Sequence, residues 1–188
     1  MDNFNDNFQW MAVNVFLALL GVIFSILIAR TKNKILKIVF IILWLLFIPN
    51  TIYLVTDLQY LPWQIPAQSL FLTFLIVAQF MILAFIGIVS YIYAMKPITV
   101  LIQKSRKKSQ KFEVKSFVFI FNFIIAFGII LGKLQRTESW YVFSNPLRVI
   151  SDINTSLSMH STYLFVLLFG IFINIIYFSL NSLRPFDQ

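Results

Sequence analysis

Residues 44–63 read WLLFIPNTIYLVTDLQYLPW, an apolar segment that contains a proline-asparagine pair and, seven residues after the asparagine, an aspartate. The apolar run before this pair, Ile38–Ile48, has only 11 residues. A helix needs about 20 predominantly apolar residues to cross the hydrocarbon core of a membrane. The segment can therefore span a membrane only if its helix continues through Pro49 and Asn50 to about Val55.

Pro49 predicts a kink in this helix, because proline lacks an N–H and its ring presses on the preceding turn. Beyond it, Asn50, Tyr53 and Asp57 recur at spacings of three and four residues, which places them on one helical face. One interpretation is a polar site that faces the protein interior, since transporters build substrate and ion sites from broken helices. The other is a helix that ends at the membrane interface with Asp57 in solvent.

Four more apolar runs surround this segment and predict an all-α, polytopic transmembrane helix bundle. The chain is 60% hydrophobic and 12% charged, whereas soluble domains are about half apolar and a quarter charged. We predict a single integral membrane domain, residues 1–188, and the absence of cysteine excludes disulfides and thiol chemistry. The five predicted spans are 10–29, 38–55, 69–94, 117–134 and 162–180.

The basic residues are distributed unevenly among the predicted loops. Of 15 Lys and Arg residues, only Lys133, Arg136 and Arg148 fall on one side of the five spans. Cytoplasmic loops carry the excess of Lys and Arg, so we predict that the N-terminus is outside and the C-terminus inside. Asp2 and Asp6 precede the first span without a basic residue, the reverse of a signal peptide, which predicts a retained span.

The densest basic segment, KSRKKSQK at residues 104–111, lies in a predicted cytoplasmic loop. It is typical of a topology determinant, and it also predicts contact with anionic lipid through Lys104, Arg106, Lys107 and Lys108. No aromatic or glycine pattern accompanies these charges, so nucleic-acid binding is not predicted.

The second outer segment begins after the fourth span and combines charged with aromatic residues. Arg136 is the predicted partner of Asp57, because a partly buried carboxylate favours a guanidinium and both residues lie near the outer membrane surface. Trp140 follows in the same segment, and the only histidine, His160, opens the fifth span. Whether residues 57–68 re-enter the membrane is left open.

A short amphipathic helix is predicted directly before the fifth span. After an Asn-Pro pair, Leu147, Ile150, Ile153 and Leu157 recur at helical spacing, and charged residues occupy the other faces. Such helices lie in the membrane interface.

Two stretches resemble the signatures of one family of bacterial membrane proteins, the domain of unknown function thirteen-sixty-one. Residues 49–61, PNTIYLVTDLQYL, resemble a Pro-Asn-x-x-Tyr-Leu-x-Thr-Asp signature, and residues 131–146, LGKLQRTESWYVFSNP, resemble a Gly-Arg-x-x-Arg-x-Asn-Ser-Trp-Asp segment that ends near Asn-Pro. Lys133, Glu138 and Tyr141 depart from the second signature, where the family has Arg, Asn and Asp. The resemblance implies a multi-pass protein of the bacterial plasma membrane and implies no activity.

Three functions fit these residues. A transporter or ligand-binding subunit is favoured by the second span and by amides within the apolar runs. Five spans are few for a complete transporter, so a membrane partner or homo-oligomer is expected. An accessory subunit would use Asp57 and Arg136 as an internal clamp. The alternative is an outer-face enzyme acting on a lipid or lipid-linked substrate, with Asp57, Glu138 and His160 as acid and base.

The predicted site is the same under each of these functions. No cofactor or metal is predicted, because a single histidine and scattered carboxylates lack metal-ligand spacing, and we favour transport or accessory work over catalysis. The residues of the binding or structural polar site are Asn50, Tyr53, Asp57, Arg136 and Trp140. Pro49 provides the kink, and Glu138 and His160 are secondary candidates. The four amides within the apolar runs, predicted to face the protein interior and bond between helices, are Asn14, Gln79, Asn122 and Asn174.

Overall fold

The computed structural model describes residues 2–65, 69–105 and 111–182, and these residues form helices and turns without any strand. A 3-10 turn, Asp57–Tyr60, follows the second helix, and a π-helical turn, Leu131–Gln135, follows the fifth. The α-helices are α1 (Asp2–Arg30), α2 (Lys34–Thr56), α3 (Leu61–Gln64), α4 (Leu70–Ser105), α5 (Lys111–Ile130), α6 (Tyr141–Ser144), α7 (Pro146–Ser158) and α8 (His160–Ser182).

Five segments of the described chain are helical, long and apolar enough to cross a membrane. They coincide with the five predicted runs, so the prediction of an all-helical chain with five candidate spans is confirmed. Such a set of helices fits a multi-pass membrane protein. The segments are Asn7–Arg30, Lys34–Gln64, Leu70–Gln103, Val114–Gln135 and His160–Leu180.

Two of the spans run through prolines. Helix α2 is continuous through Pro49, as its length required. Helix α4 continues through Pro97 to Ser105, beyond the predicted end at residue 94. The sequence boundary was drawn where the apolar run meets a lysine and a proline, but a proline removes only one backbone bond, and membrane helices tolerate that loss.

Asparagine side chains begin two of the helices. Asn33, in the three-residue connection between α1 and α2, accepts hydrogen bonds from the backbone N–H groups of Ile35 (2.9 Å) and Leu36 (3.3 Å). Asn145 accepts one from the N–H of Arg148 at 3.3 Å, and Pro146 occupies the first turn of α7. These are the residue types that start helices, so the short helix predicted before the fifth span is present.

The chain forms two compact units, Met1–Ile98 and Thr99–Gln188. In the first unit, α1 and α2 pack together along their lengths, and the start of α4 joins them. A cluster of buried apolar side chains connects the three helices. Its members are Met11 and Ala18 of α1, Leu54 of α2, and Ile76, Phe80 and Leu83 of α4.

Two glycines allow the helices of the first unit to approach closely. A Cβ added at Gly21 of α1 would lie 3.1 Å from Thr51 Cγ2 and 3.2 Å from the carbonyl oxygen of Phe47 on α2. A Cβ at Gly87 of α4 would lie 2.9 Å from both Leu54 Cβ and the Thr51 carbonyl oxygen. Helix α2 is therefore in contact with a glycine of α1 and a glycine of α4 around the same residue, Thr51.

The second unit pairs α5 with α8. Asn122 Nδ2 donates to Asn174 Oδ1 at 2.9 Å, and Asn174 Nδ2 donates to the carbonyl of Phe119 at 3.2 Å. Asn122 is 0% and Asn174 5% exposed. Gly170 lies one turn before Asn174, and a Cβ there would overlap the Phe123 ring. The glycine therefore provides the space that the two helices need to bring their amides together.

We expect Gly87→Ala to destabilise the protein by about 1–3 kcal/mol, because the added methyl group meets backbone that cannot move aside. This cost exceeds the gain in helix propensity of about 1 kcal/mol. Thermal unfolding in detergent measures it. Met81→Ala, at an exposed side chain of the same helix, is the control and should leave the melting temperature almost unchanged. Equal melting of Gly87→Ala and wild type would show that α2 and α4 do not require this approach.

Candidate functional site

Asp57 is buried, with 1% of its surface exposed, at the point where α2 gives way to the 3-10 turn. Asn14 of α1 donates a hydrogen bond from Nδ2 to Asp57 Oδ2 at 3.3 Å. An ionisable side chain is costly to bury in a membrane protein unless it is paired or hydrogen-bonded. The burial of Asp57 favours the interpretation of an interior polar site over that of a solvated residue.

A second polar group lies near the first turns of α1. Asn7 and Gln64 exchange two hydrogen bonds: Asn7 Nδ2 donates to Gln64 Oε1 at 2.5 Å, and Gln64 Nε2 donates to Asn7 Oδ1 at 2.9 Å. Asn7 Nδ2 also lies 3.4 Å from Gln79 Oε1 of α4. Trp10 Nε1 donates to Asn7 Oδ1 at 3.1 Å, and its ring packs against Tyr60 and Phe80. We call Asn7, Asn14, Asp57, Gln64 and Gln79 the polar cluster of the first unit.

The cluster follows from the spacing of α1. Asn7 and Asn14 are separated by two turns and share a face with Met11, which belongs to the apolar core. From this one face of α1, Asn7 bonds to Gln64 of α3, and Asn14 bonds to Asp57 of the 3-10 turn that follows α2. The sequence analysis missed Asn7 and Gln64, although the seven-residue spacing from Asn7 to Asn14 is a signal that could have found the first of them.

Asn50 and Tyr53, predicted to share a face with Asp57, are both half-buried. Asn50 Nδ2 donates to the carbonyl of Phe47 at 3.3 Å, and Thr51 Oγ1 donates to that of Ile48 at 2.7 Å. The fully buried face of the helix instead contains Thr51 and Leu54. Asn50 and Tyr53 therefore flank the core face, while Asp57 lies within the buried interior.

The four amides predicted to bond within the protein interior do so. Asn14 bonds to Asp57, Gln79 to Asn7, and Asn122 to Asn174. Each bond joins two different helices or a helix and a turn. Interhelical hydrogen bonds of this kind contribute about 1 kcal/mol each, so the amides stabilise the packing within each unit.

In the second unit, the segment that joins α5 to α6 turns at Arg136. This residue ends the π-helical turn in the left-handed region, at φ 51°, and its N–H donates to the carbonyl of Leu131. A left-handed conformation is uncommon for a residue with a Cβ and marks a position worth functional attention. The arginine side chain is exposed.

Two residues that follow the turn, Thr137 and Tyr141, contact charged residues of α7. Thr137 Oγ1 donates to Asp152 Oδ2 at 2.7 Å, and Arg148 Nε lies 3.7 Å from the same oxygen. The Arg148 guanidinium carbon lies 4.5 Å from the centre of the Tyr141 ring, a cation–π distance. The segment before α7 is thus attached to α7 by a hydroxyl, a carboxylate and an arginine.

Glu138 lies among these groups and is half-buried. Burial raises the pKa of its carboxyl above the ordinary value, and the nearby Arg136 and Arg148 only partly counter that rise. The carboxyl therefore holds its proton more firmly in the folded protein than in the unfolded chain.

Helix α7 largely buries two polar side chains and leaves large apolar side chains exposed. Along one face, exposure of the side chain falls from 43% at Arg148 to 16% at Asp152, and Ser156 is 0% exposed. Leu147 and Ile150 on the other side are 77% and 56% exposed. Several polar residues of α7 are exposed as well, so the exposed surface of the helix combines large apolar with polar side chains. The buried hydroxyl of Ser156 has no hydrogen-bond partner among the described residues.

The remaining predicted residues occupy different places. Trp140 is 41% exposed and packs edge-on against Tyr141. His160 is exposed at the first residue of α8. Asp57 belongs to the first unit and Arg136 to the second, and their pairing stays a prediction. Within the described ranges, no three His, Asp or Glu side chains are grouped as metal ligands.

The basic segment predicted to contact anionic lipid lies mostly outside the described residues. Arg106, Lys107 and Lys108 lie outside the described residues, and Lys104 is described only as part of the helical backbone of α4. Pro66, in the segment considered for re-entry, also lies outside them. Residues 57–64 form the 3-10 turn and α3.

The raised pKa of Glu138 predicts a pH-dependent effect of Glu138→Gln. A carboxyl with a raised folded-state pKa contributes less stability as pH rises from the unfolded-state value through the folded-state value. We expect the variant to melt at a higher temperature than wild type at pH 7 and close to wild type at pH 4. Thermal unfolding in detergent at both pH values measures the difference. The same difference at both would trace the effect to side-chain shape instead of ionisation.

Comparisons with known proteins bear on the identity of the chain. A family model described as "Protein of unknown function (DUF1361)" matches residues 13–176. The comparison with curated proteins finds no match, and neither does the comparison with solved structures. The match covers all but the ends of the chain and confirms the resemblance carried by residues 49–61 and 131–146. The chain belongs to the DUF1361 family of proteins of unknown function.

Proposed function

We propose that the protein is a non-catalytic, multi-pass protein of the bacterial plasma membrane that binds a small polar ligand in the outer half of its first unit. The ligand is a polar solute or a lipid headgroup, and the protein acts as a transporter component. Asn50, Tyr53 and Asp57 are its proposed site residues in the first unit, and the polar cluster of that unit supports them.

The burial of Asp57 is the observation that carries this proposal. Its carboxylate lies at the end of an apolar span, 1% exposed and hydrogen-bonded to Asn14. An ionisable residue inside a membrane span marks a functional site by default, because burying the charge opposes stability. The amides of Asn7, Gln64 and Gln79 add donors and acceptors that suit a polar ligand.

The orientation and the kink belong to the same proposal. The excess of Lys and Arg on one side supports an external N-terminus and an internal C-terminus, which puts Asp57 near the outer surface. Pro49 lies two turns before Asp57 inside α2, and a bend at this residue would open the helix end toward a ligand.

An accessory, purely structural role is the second candidate, because the described hydrogen bonds between members of the cluster join separate elements. Asn14 joins α1 to the end of α2, and Asn7 joins α1 to α3 and α4. In this role Asp57 would form a clamp with Arg136. Removing one partner of a buried ion pair costs about 3–5 kcal/mol, so the clamp predicts a large loss of stability in either single variant.

Native mass spectrometry separates the two candidates. Wild type and Asp57→Asn are extracted together with the surrounding membrane lipid and compared. Ligand binding predicts a mass adduct on wild type that the variant loses, since Asp57→Asn keeps the shape of the side chain and removes its charge. The mass of the adduct identifies the chemical class of the ligand.

Asp152→Asn is the matched control, because it makes the same chemical change in the second unit. It should retain the adduct. Persistence in Asp57→Asn of every adduct that wild type carries would contradict ligand binding at Asp57. The absence of any adduct, combined with a strongly lowered melting temperature of Asp57→Asn, would favour the structural clamp.

The proposed orientation has its own test, since the chain contains no natural cysteine. Single cysteines replace Lys32, in the connection between α1 and α2, and Ser144, at the end of α6; both side chains are exposed. We expect a membrane-impermeant maleimide to label intact cells at Ser144→Cys only. Labelling at Lys32→Cys alone would invert the orientation and move the Asp57 site to the cytoplasmic half.

A further inference from the structure

We propose that the outer segment of the second unit, from Trp140 to Leu157, binds an anionic phospholipid. The acyl chains lie on the exposed apolar face of α7, and the phosphate pairs with the guanidinium groups of Arg148 and Arg136. This site is separate from the one proposed around Asp57 and does not depend on it.

The apolar part of the surface is formed by α7 and the short helix before it. Phe143 is 63% exposed, Leu147 77%, Ile150 56% and Leu157 45%. Large apolar side chains concentrated on one side of a short helix mark an interaction surface. Asp152 and Ser156, on another side of the same helix, are the more buried residues, with exposures of 16% and 0%.

Acyl chains fit this face because it is continuous with a membrane span. Helix α8 begins two residues after α7 and contacts it, and Tyr163, Leu164 and Leu167 at its start are exposed. Tyr163 Oη donates to the carbonyl of Leu157 at 2.6 Å, which ties the two helices together. The lipid that surrounds α8 therefore also reaches α7.

The charged part of the surface is formed by two arginines. Arg148 is held by the Tyr141 ring at 4.5 Å and by Asp152 at 3.7 Å, and 43% of its side chain stays exposed. Arg136 is exposed, and both guanidinium groups lie close enough to Glu138 to act on its ionisation. The two cations thus converge on one region, and guanidinium groups bind phosphate through paired hydrogen bonds.

The combination identifies a phospholipid as the occupant. A free phosphate ion would use the arginines and leave the apolar face unused, while a zwitterionic lipid would bring a cation next to Arg136 and Arg148. An anionic headgroup followed by acyl chains satisfies both parts of the surface. Burial raises the pKa of Glu138, which lessens its repulsion of a nearby phosphate.

The test is lipid binding to the full chain in detergent, followed by native mass spectrometry during titration with phosphatidylglycerol or with phosphatidylcholine of the same chains. We expect wild type to bind phosphatidylglycerol more tightly. Arg148→Gln should bind it about tenfold more weakly, the loss expected for one charge-assisted hydrogen bond. Arg30→Gln, which removes an exposed arginine from the end of α1, is the matched control and should bind as wild type does.

Two further measurements keep the result decisive. Arg136→Gln is a second variant for the case in which Arg148→Gln does not elute as a folded protein. It should also weaken the binding of phosphatidylglycerol. Leu147→Ser should also weaken the binding of phosphatidylglycerol, because contacts between the side chain and the acyl chains are lost. Equal binding of the two lipids to wild type, unchanged binding in both arginine variants, or displacement of the lipid by sodium phosphate at low concentration would each overturn the proposal.

Discussion

Water does not reach the middle of a bilayer, so a polar side chain in a membrane helix has to find its hydrogen-bond partner inside the protein. This requirement explains the internal order of both units. Asn122 bonds to Asn174 in the second unit, and Asn14 bonds to Asp57 in the first. Each pair fixes the rotation of one helix against its neighbour, because any other rotation would leave an amide in contact with lipid.

Close helix approach makes these pairs geometrically accessible. Gly21 and Gly87 lie against α2 near Thr51, and Gly170 lies against Phe123 one turn from Asn174. Because glycine has no side chain, the two helix backbones come close enough for dispersion contacts. In lipid these contacts drive helix association, since apolar side chains gain little by leaving an apolar solvent. In the second unit the glycine and the asparagine of α8 act together, since the Asn174 amide also donates to the Gly170 carbonyl at 2.8 Å.

Helix α7 of the second unit also holds a polar side chain that finds its partners within the protein. Thr137 pairs with the largely buried Asp152 of this helix, while Leu147 and Ile150 stay exposed. An amphipathic helix on a soluble domain would bury such large apolar residues. The polar contacts of the second unit thus lie beside the exposed apolar residues of α7, where we propose that a lipid binds.

The family match places the chain among proteins whose function has to be argued from their residues. The two signature stretches fall on the end of α2 and on the turn before α6, in separate units. In the first, Asp57 is buried and hydrogen-bonded to Asn14. In the second, Arg136 adopts a left-handed conformation beside Glu138. Both signatures therefore coincide with polar groups that the apolar core does not require.

The sequence by itself determined the class of the protein, the five spans, the short helix after Asn145 and the family. These properties depend on local composition and spacing, which can be read within each segment without knowledge of its neighbours in space. Only the tertiary structure decided that Leu54 and not Tyr53 faces the core, that Asn14 is a partner of Asp57, and that large apolar side chains of α7 stay exposed. Such outcomes depend on how each helix is rotated against another, and contacts between residues far apart in the chain set that rotation.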